Sequence, residues 1–411
     1  MRKQSVCKAA VAALALVSAG WSQNAASDWN MIAVNTIVVH GGKNPATAPA
    51  YFAYTGLAMF DAANSIDHRY TPFAVSVVAP RGASIDAAVV TAAHDMLVHY
   101  FPLQQATLDS SEAASLAALG AGGAVADGAL VGQRVAERWI AIRANDGLEA
   151  PVTFTPGQGP GAWQLTPPFG PMAAPWLPQF KPFTLTSGTQ FLYSIDPPTA
   201  LNTAQWASDF NTTKAYGSLT GSLRTPAQTE IALFWTAHAP LQYFSSLSAL
   251  MAQQHLSTSD SARLEAMVAV SLSDAVVSCF TVKYHYAFWR PYTAIRAGDT
   301  DGNSATQADP NWVPLLVTPQ HPEYPSAHGC ATESTMTILA AFFNTDKMPY
   351  SLFSSVTQTT HHFERFSDVV GEVALARVYG GIHYPHSVLQ GTRLGKLVAD
   401  QVVADHFHRL K

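Results

Sequence analysis

The sequence predicts an all-α protein built from helical bundles, interrupted by one long irregular segment. Apolar residues recur at helical spacing through most of the chain from Asn30 onward, and convincing alternating strands are scarce. Hydrophobic residues make up 48% of the 411 residues, which is ample for a large core. Charged residues make up only 12%, about half of the ~25% usual in soluble proteins, which argues against intrinsic disorder.

The first part of the chain, about residues 28–220, contains alanine-rich and apolar helical segments. Its predicted helices are Ala48–Ile66, Ala83–Phe101, Ser110–Asn145 and Asn202–Gly217. Asp109 to Glu112 carries capping chemistry typical of a helix start. Between them, Pro151–Pro198 is rich in proline, glycine and aromatic residues. Irregular segments of this length are uncommon inside domains unless they are functional or cover another part of the protein.

The second part, about residues 225–411, begins with Thr225-Pro226, which predicts an N-cap followed by proline at the first helical position. Its predicted helices are Pro226–His238, Gln242–His255, Ser257–Tyr286, Ser326–Phe343, Phe366–Tyr379 and Ser387–Leu410. A breaker-rich stretch, Gly298–Pro325, precedes the fourth of these. We treat both parts as one helical catalytic domain, residues 23–411.

Residues 1–22 have the order of a signal peptide. Arg2, Lys3 and Lys8 are followed by the apolar run Ala9–Gly20, which is too short to span a bilayer. We therefore expect export, to the periplasm or by secretion; the alternative is a buried N-terminal helix. Removal would move the net charge from −5 to −8, because three positive charges and no negative ones leave. No later stretch approaches ~18 uninterrupted apolar residues, so no membrane association is expected afterwards.

Charge and cysteine content exclude several function classes. A net charge of −5 without a basic tract argues against nucleic-acid binding. Three cysteines are too few for a disulfide scaffold. After signal removal only Cys279 and Cys330 remain; a disulfide is plausible in an oxidising compartment, but two buried thiols are favoured.

The first chemically informative segment runs from Lys283 to Pro291 and reads KYHYAFWRP. Lys283 and Arg290 are seven residues apart, so a helix ending at Pro291 would present both on one face near its C-terminus. The bland interpretation is two solvated surface charges. Because their neighbours are almost all apolar or aromatic, the pair instead indicates a buried anion.

The second segment is HPEYPSAHG, which leads directly into a predicted helix. Backbone N–H groups at a helix N-terminus and the Ser326 hydroxyl form an anion cradle, and His328 could exchange a proton there. Taken alone, ordinary capping by Ser326 with an incidental histidine explains this segment better.

The third segment runs from Arg377 through Gly380-Gly381 to His383. A guanidinium offers forked donors to a tetrahedral oxyanion, and a neutral imidazole can ligate a metal centre or attack phosphorus. Taken alone this signal is also weak, because paired glycines before a helix often only link and cap.

Together, K-x6-R-P, P-S-x-H and R-x5-H resemble the signature of the vanadium-dependent haloperoxidases and the type 2 phosphatidic acid phosphatases, which form one superfamily. The flanking segments FWRP, AIRAGDTDGN and HPEYPSAHG are similar to bacterial exported haloperoxidases. The resemblance runs from about Ala48 to the C-terminus and is most specific from Lys283 to Gly391. It implies a helical fold with an oxyanion pocket.

The resemblance implies vanadate as cofactor, bound by His383 through vanadium. It assigns the vanadate oxygens to Lys283, Arg290, Arg377, Ser326 and the backbone N–H of Ala327. It makes His328 the acid–base residue, so that the catalytic set is His328, His383 and Lys283. Hydrogen peroxide would form a peroxovanadate that oxidises a halide or a small organic substrate. Phosphate, another tetrahedral oxyanion, would compete for the site.

Three positions depart from the family pattern. Ala327 stands for the usual glycine, Ala376 for a serine, and Ser387 for the aspartate of H-x3-D. In the phosphatases that aspartate orients the nucleophilic histidine, so its loss should weaken phosphoryl transfer more than ligation. The second enzyme hypothesis is therefore an acid phosphatase with His383 as nucleophile and His328 as leaving-group acid. The third is a non-catalytic oxyanion-binding protein.

Other candidates are weaker. Trp289 either lines the pocket or belongs to the core. His321 resembles a position that is aromatic in chloride-oxidising relatives and histidine in bromide-oxidising ones; otherwise it is a surface histidine. The pairs His361-His362 and His383-x2-His386 could suggest zinc but lack a suitably spaced further ligand. Neither halide preference nor oligomeric state follows from the sequence.

Overall fold

The computed structural model describes residues 24–410. The predicted signal peptide, residues 1–22, lies outside the described residues. Within that range the protein is mostly helical, with one two-stranded antiparallel sheet. The all-α class predicted from the sequence is confirmed.

The first half of the described chain forms six α-helices. They are α1 (Ala25–Val34, continued by a π-helical turn, Asn35–His40), α2 (Ala48–Asp67), α3 (Ile85–Tyr100), α4 (Gln105–Ala118), α5 (Gly123–Arg143) and α6 (Ala204–Gly217). Short 3₁₀ turns at Pro102–Gln104 and Leu177–Gln179 join them. The irregular segment predicted over Pro151–Pro198 is confirmed between α5 and α6.

The second half forms seven more helices and the sheet. They are α7 (Pro226–Phe234), α8 (Ala239–Gln253), α9 (Thr258–Tyr286), α10 (Pro291–Arg296), α11 (Ala327–Phe343), β1 (Tyr350–Ser354), β2 (Thr359–Phe363), α12 (Phe366–Tyr379) and α13 (Pro385–Asp405), with a 3₁₀ turn at Gly298–Thr300. Thr225 caps α7 and Pro226 occupies its first turn, as predicted.

The prediction of one helix over Ser110–Asn145 is wrong. The chain breaks between α4 and α5, where Gly120 adopts φ +87°, a left-handed conformation suited to glycine. Asp109 and Glu112 do not cap a helix start either, since both lie inside α4. Their carboxylates instead face α3, where Asp109 lies 2.9 Å from the His94 ring and Glu112 accepts the Thr91 hydroxyl at 2.8 Å.

The sequence pattern did not predict the two strands, because each is only five residues long. They pair with Tyr350 opposite Phe363 and Ser354 opposite Thr359. β1 alternates buried and exposed positions, and it packs against α8. The sheet is therefore a small addition to a helical protein and does not change its fold class.

Helix α9 is the central element of the core. It packs against α2 on one side and against α11 and α13 on the other. A Cβ added to Gly56 of α2 would lie 3.3 Å from the Ala266 backbone, so the two helices approach closely. Within residues 24–410, α9 is the one helix long and apolar enough to cross a membrane, and its apolar stretch is entirely buried inside the protein.

The irregular segment lies over the C-terminal part of α9. The Asp274 carboxylate on α9 accepts N–H groups from Phe183 at 2.8 Å and Thr184 at 2.6 Å. Further along, the N–H of Trp163 donates to the carbonyl of Ala287 at 2.7 Å. The segment thus covers the end of the helix that carries Lys283, in agreement with the covering role predicted for it.

Helices α11 and α13 meet through glycines. A Cβ added to Gly391 would lie 2.4 Å from the carbonyl oxygen of Ser326, and one added to Gly395 would lie 2.3 Å from that of Cys330. The backbones therefore touch directly. This contact brings the N-terminus of α11 against the first turns of α13, next to His383.

Candidate active site

The candidate site lies where four pieces of chain meet: the end of α9, the loop before α11, the N-terminus of α11, and the turn from α12 to α13. One local prediction is wrong. Helix α9 ends at Tyr286, where Ala287 turns left-handed with φ 45°, and Pro291 begins α10. Arg290 therefore precedes a new helix and shares no helical face with Lys283. The two residues meet through tertiary packing.

Lys283 is fully buried and hydrogen-bonds the loop before α11. Its Nζ donates to the carbonyl oxygens of Pro322 at 3.0 Å, Glu323 at 2.9 Å and Pro325. An ammonium has three donors, and all three are used on this loop. Burial lowers the pKa of Lys283 to about 8. The lysine places positive charge beneath Ser326 and fixes the segment that carries it.

Arg290 links all three sequence segments. Its Nε donates to the carbonyl of His321 at 2.9 Å and its Nη1 to that of Ile382 at 2.8 Å. The same Nη1 lies 3.3 Å from Nε2 of His383. Burial lowers the pKa of the guanidinium to about 10, so it remains charged at neutral pH.

His321 is not a surface residue. Its exposed fraction is 8%, its Nδ1 lies 3.0 Å from Nη2 of Arg290, and its ring packs at a tilt against that of Phe280, with centroids 5.0 Å apart. Burial, and then the charges of Arg290 and Lys283, hold the pKa of His321 well below its usual value. The surface interpretation is therefore wrong, and His321 is part of the wall around Arg290.

His383 is paired with a carboxylate that the sequence analysis missed. Its Nδ1 lies 2.8 Å from Oε1 of Glu323, and both side chains are buried. The same oxygen accepts the N–H of Tyr384 at 3.0 Å, and the Ser387 hydroxyl donates to Oε2. Burial raises the pKa of Glu323 to about 7, opposed by the Ser387 hydrogen bond and by Arg290 and Lys283. An acidic residue inside an apolar HPEYP segment of a charge-poor chain was the available signal.

Arg377 and His328 share a backbone partner on the opposite wall. Nη1 of Arg377 donates to the carbonyl of Trp235 at 3.0 Å, while its Nε has no partner. That carbonyl also hydrogen-bonds the His328 ring, whose buried Nε2 has no partner. Burial, with the charges of Arg377 and Lys283, holds the pKa of His328 well below its usual value. Trp235 is a second residue that the sequence did not reveal.

The N-terminus of α11 closes the site. The Ser326 side chain is fully buried and its Oγ accepts the N–H of Gly329 at 3.5 Å, so the capping interpretation is confirmed. Ala327 is the first residue of α11, in right-handed helical conformation, so its methyl group leaves the N-terminal N–H groups in ordinary geometry. His328 follows on the first turn and is only half-buried.

Four other sequence candidates lie at the margin of the site or away from it. Trp289 packs on Trp206 with ring centroids 5.9 Å apart, a core position, although its indole N–H has no partner. Cys279 and Cys330 are free and buried, as favoured from the sequence. His386 lies 2.9 Å from the carbonyl of Pro197 instead of contacting His383.

The remaining histidine pair does not form a zinc site with the others. His361 bridges Glu372 at 2.7 Å and Glu230 at 3.0 Å on the sheet side of α12. Among the described residues, no group of three or more His, Cys, Asp or Glu side chains has an arrangement that could hold a metal ion.

The site places three buried cations around one neutral histidine. Burial, and then the charges of Arg290, Lys283 and Arg377, hold the pKa of His383 well below its usual value, so all three cations act on one neutral imidazole. Within residues 24–410, none of the three cations has a carboxylate within ion-pairing distance. Buried charges without partners are costly. An oxyanion contacting these groups and the α11 N-terminus would supply the missing negative charge.

Comparisons with known proteins identify a related domain and a related fold. Residues 263–410 match the family domain described as the VCPO second helical-bundle domain. The vanadium chloroperoxidase of Curvularia inaequalis is 22% identical over 287 residues, covering 53% of this chain and 46% of the relative. The chain thus spans about half the length of this curated relative.

Solved structures show the same fold. A structure described as the first bacterial vanadium-dependent iodoperoxidase superposes with a TM-score of 0.79 at 20% identity, covering 95% of this chain and 97% of that one. A bacterial vanadium-dependent chloroperoxidase in its holo form superposes with a TM-score of 0.70 at 16% identity, covering 88% and 92%. The chain thus carries, over residues 263–410, the second helical-bundle domain of this family, and its described part has the fold of bacterial vanadium haloperoxidases.

Proposed function

We propose that the protein is a vanadate-dependent haloperoxidase-like enzyme that uses hydrogen peroxide to oxidise a halide or a small organic substrate. The observation that carries the proposal is the set of three buried cations around neutral His383, none of them paired with a carboxylate in the described chain. A tetrahedral oxyanion matches this arrangement of donors.

The residues present fit vanadate. Nε2 of His383 would be its ligand, Arg290 and Arg377 would donate to its oxygens, and Ser326 with the N–H of Ala327 would complete the cradle. Lys283 would add positive charge from beneath the loop that it fixes. When bound, vanadate supplies an electrophilic d⁰ centre that activates peroxide without changing the oxidation state of the metal.

His328 is the candidate for proton transfer. Its imidazole is neutral because burial and nearby cations lower its pKa, and its Nε2 has no protein partner. A neutral nitrogen with a free lone pair can accept a proton from an incoming peroxide and return it later. The residue is half-buried on the first turn of α11, and its Nε2 is itself buried.

The contact between His383 and Glu323 favours a second candidate, the acid phosphatase. The sequence argument against phosphoryl transfer was the absence of a carboxylate at position 387. Glu323 supplies a carboxylate at 2.8 Å from Nδ1 of His383. A histidine nucleophile oriented in this way is chemically competent, with His328 as the leaving-group acid.

Two assays distinguish the haloperoxidase from the acid phosphatase. The purified protein, with and without orthovanadate, is tested for peroxide-dependent oxidation of iodide and bromide and for p-nitrophenyl phosphate hydrolysis. We expect vanadate-dependent halide oxidation, and His328→Ala should reduce it about 10²–10⁴-fold while retaining vanadate binding. Brisk phosphatase turnover without halide oxidation would overturn the proposal. Binding without either activity would favour a non-catalytic oxyanion-binding protein.

Phosphate competition follows from the shared shape of the two anions. Inorganic phosphate should inhibit the peroxidase reaction by displacing vanadate, because it uses the same cations and N–H donors. Inhibition that excess vanadate fails to relieve would contradict a common site.

Export is also a proposal, based on residues 1–22 alone. N-terminal sequencing of the mature protein recovered from outside the cytoplasm should begin near residue 23. Recovery of the intact N-terminus in the cytoplasm would contradict it.

A further inference from the structure

We infer that Glu323 is the positioning residue of the site: it fixes the tautomer and orientation of His383, in place of the carboxylate that the family pattern puts at position 387. The inference deepens the proposed function and rests on it only for the identity of the anion. It comes from the contacts of four buried side chains.

The two nitrogens of His383 face neighbours of opposite kinds. Nε2 lies 3.3 Å from Nη1 of Arg290, and a guanidinium can only donate hydrogen bonds. Nδ1 lies 2.8 Å from Oε1 of Glu323, a hydrogen-bond acceptor. The proton of the neutral ring therefore belongs on Nδ1. The lone pair of Nε2 is directed toward the cations, where an oxyanion would bind.

The Glu323 carboxylate is itself held at both oxygens. Oε1 also accepts the Tyr384 N–H at 3.0 Å, and Oε2 accepts the Ser387 hydroxyl. All three of its partners are donors, so an ionised carboxylate satisfies each of them. Its exposed fraction is 0%, so no water competes. The carboxylate has little freedom to release the imidazole.

Ser387 explains why this arrangement needs a different residue at the family position. It lies four residues after His383, where the family pattern has aspartate, yet its hydroxyl contacts the far oxygen of Glu323. A carboxylate at 387 would lie against Glu323, and two buried carboxylates in contact repel each other. The site accommodates one carboxylate, and this chain supplies it from the loop before α11.

The same loop connects the other parts of the site. Lys283 donates to the carbonyls of Pro322 and Pro325, on either side of Glu323, and Ser326 caps α11 three residues after Glu323. The Glu323 side chain thus ties the vanadate ligand to the loop that carries the cradle. Partners of this kind typically contribute about 10–100-fold to metal affinity or activity.

A charge-relocation experiment tests the inference. Glu323→Ala, Ser387→Asp, the double variant Glu323→Ala/Ser387→Asp and the control Ser387→Ala are compared with the wild type. Affinities for orthovanadate and for inorganic phosphate are measured by calorimetry, and the tautomer of His383 by ¹⁵N NMR of the anion-free protein. Thermal unfolding monitors folding of each variant.

We expect Glu323→Ala to lose about 10–100-fold in vanadate affinity and to lose the single Nδ1–H tautomer. Ser387→Asp alone should also weaken binding, whereas Ser387→Ala should change it by less than about tenfold. The double variant should recover most of the affinity and the Nδ1–H tautomer, because the carboxylate returns to the imidazole from the other side. A purely structural role for Glu323 predicts no such recovery.

Wild-type affinity and tautomer in Glu323→Ala would overturn the inference, as would a folded double variant no better than Glu323→Ala. If Glu323→Ala does not fold, Glu323→Gln keeps the shape and removes the charge. It should lose about tenfold in vanadate affinity, and unchanged affinity would count against the inference. A wild type that binds neither anion, yet loses its tautomer in Glu323→Ala, would overturn the proposed function and support the positioning role.

Discussion

At the residue scale, Arg377 is a buried charged side chain that suits anion binding but lowers the stability of the anion-free protein. Its side chain is 2% exposed, its Nη1 has one carbonyl partner, and its Nε has none. Burial lowers its pKa to about 10, which still leaves it charged at neutral pH. A buried charge without a partner opposes folding. Binding residues are often destabilising in this way.

Arg377→Met should therefore leave the free energy of unfolding equal to or above that of the wild type when no anion is present. Phosphate at 100 times its Kd should stabilise the wild type by about 2.7 kcal/mol, and this stabilisation should disappear in the variant. Chemical denaturation with and without phosphate measures both effects. The exposed Arg134→Met is the control. A less stable Arg377→Met that still responds fully to phosphate would contradict this view of the site.

Residue type and apolar context indicated a buried anion near Lys283 and Arg290, whereas Arg377 and His383 became candidates only when the three motifs were taken together and resembled a known family. Glu323 and Trp235 were not predictable in the same way. Glu323 meets His383 across 60 residues of sequence, and Trp235 meets Arg377 across 142. Contacts over such separations depend on helix packing, which a single sequence does not encode locally.

At the scale of elements, the contact between α11 and α13 determines the shape of the site. The carbonyl of Ser326 lies only 2.4 Å from where a Cβ on Gly391 would be. The N-terminus of α11 and the start of α13 are therefore held together by the absence of a side chain. The proximity of Ser326 and His383 depends on this packing.

Gly391→Ala should push α13 away from Ser326. We expect a loss of about 1–3 kcal/mol in unfolding free energy, typical of overpacking, together with weaker phosphate binding. Gly371→Ala is a matched control, because Gly371 lies in α12 with no atom near its added Cβ. There the substitution should raise stability by up to about 1 kcal/mol through helix propensity. Equal effects of the two substitutions would show that the close approach is unimportant.

A second element-scale feature joins α3 to α4. His94 on α3 lies 2.8 Å from Asp95 and 2.9 Å from Asp109, with Glu112 at 3.4 Å. Burial acts to lower the pKa of His94, but the hydrogen bonds to Asp95 and Asp109 outweigh it and raise the pKa to about 9. The imidazolium is thus favoured in the folded protein.

The folded pKa of His94 lies above its unfolded value of about 6.5, so its stabilising effect is complete below that pH. The effect should decline as pH rises from about 6.5 and be lost above about 9. His94→Gln should flatten the pH dependence of unfolding free energy over that interval. The exposed His40→Gln is the control. Identical pH profiles for His94→Gln and the wild type would contradict the assignment.

Periodicity predicted where most helices lie, but it did not always predict the residues at which they begin and end. Phe366–Tyr379 was predicted with the observed bounds. The break between α4 and α5 was missed because alanine-rich segments on both sides have equally high helix propensity. Pro291 was read as a stop signal, although proline also suits the first turn of a new helix, which is what α10 uses.

At the scale of the whole molecule, α9 connects the two halves of the chain. It packs on α2 from the first half and on α11 and α13 from the second, and its last turn carries Lys283. Asp274, on the same helix, binds the irregular segment at Phe183 and Thr184, and the same segment reaches the end of the helix through Trp163 and Ala287. Low charge content and pervasive helical spacing predicted this all-α body. They did not predict the small sheet, since its five-residue strands are too short for a clear alternating pattern.

The central claim is that the buried cations and His383 form one oxyanion site. Calorimetric titration of the vanadate-free protein with orthovanadate tests it most directly, with thermal unfolding to confirm that each variant is folded. We predict one site per chain in the wild type, competitive displacement by phosphate, and no tight binding in His383→Ala. His328→Ala should keep most of the wild-type affinity. Absence of binding in the wild type, or equal affinity in His383→Ala, would contradict the claim.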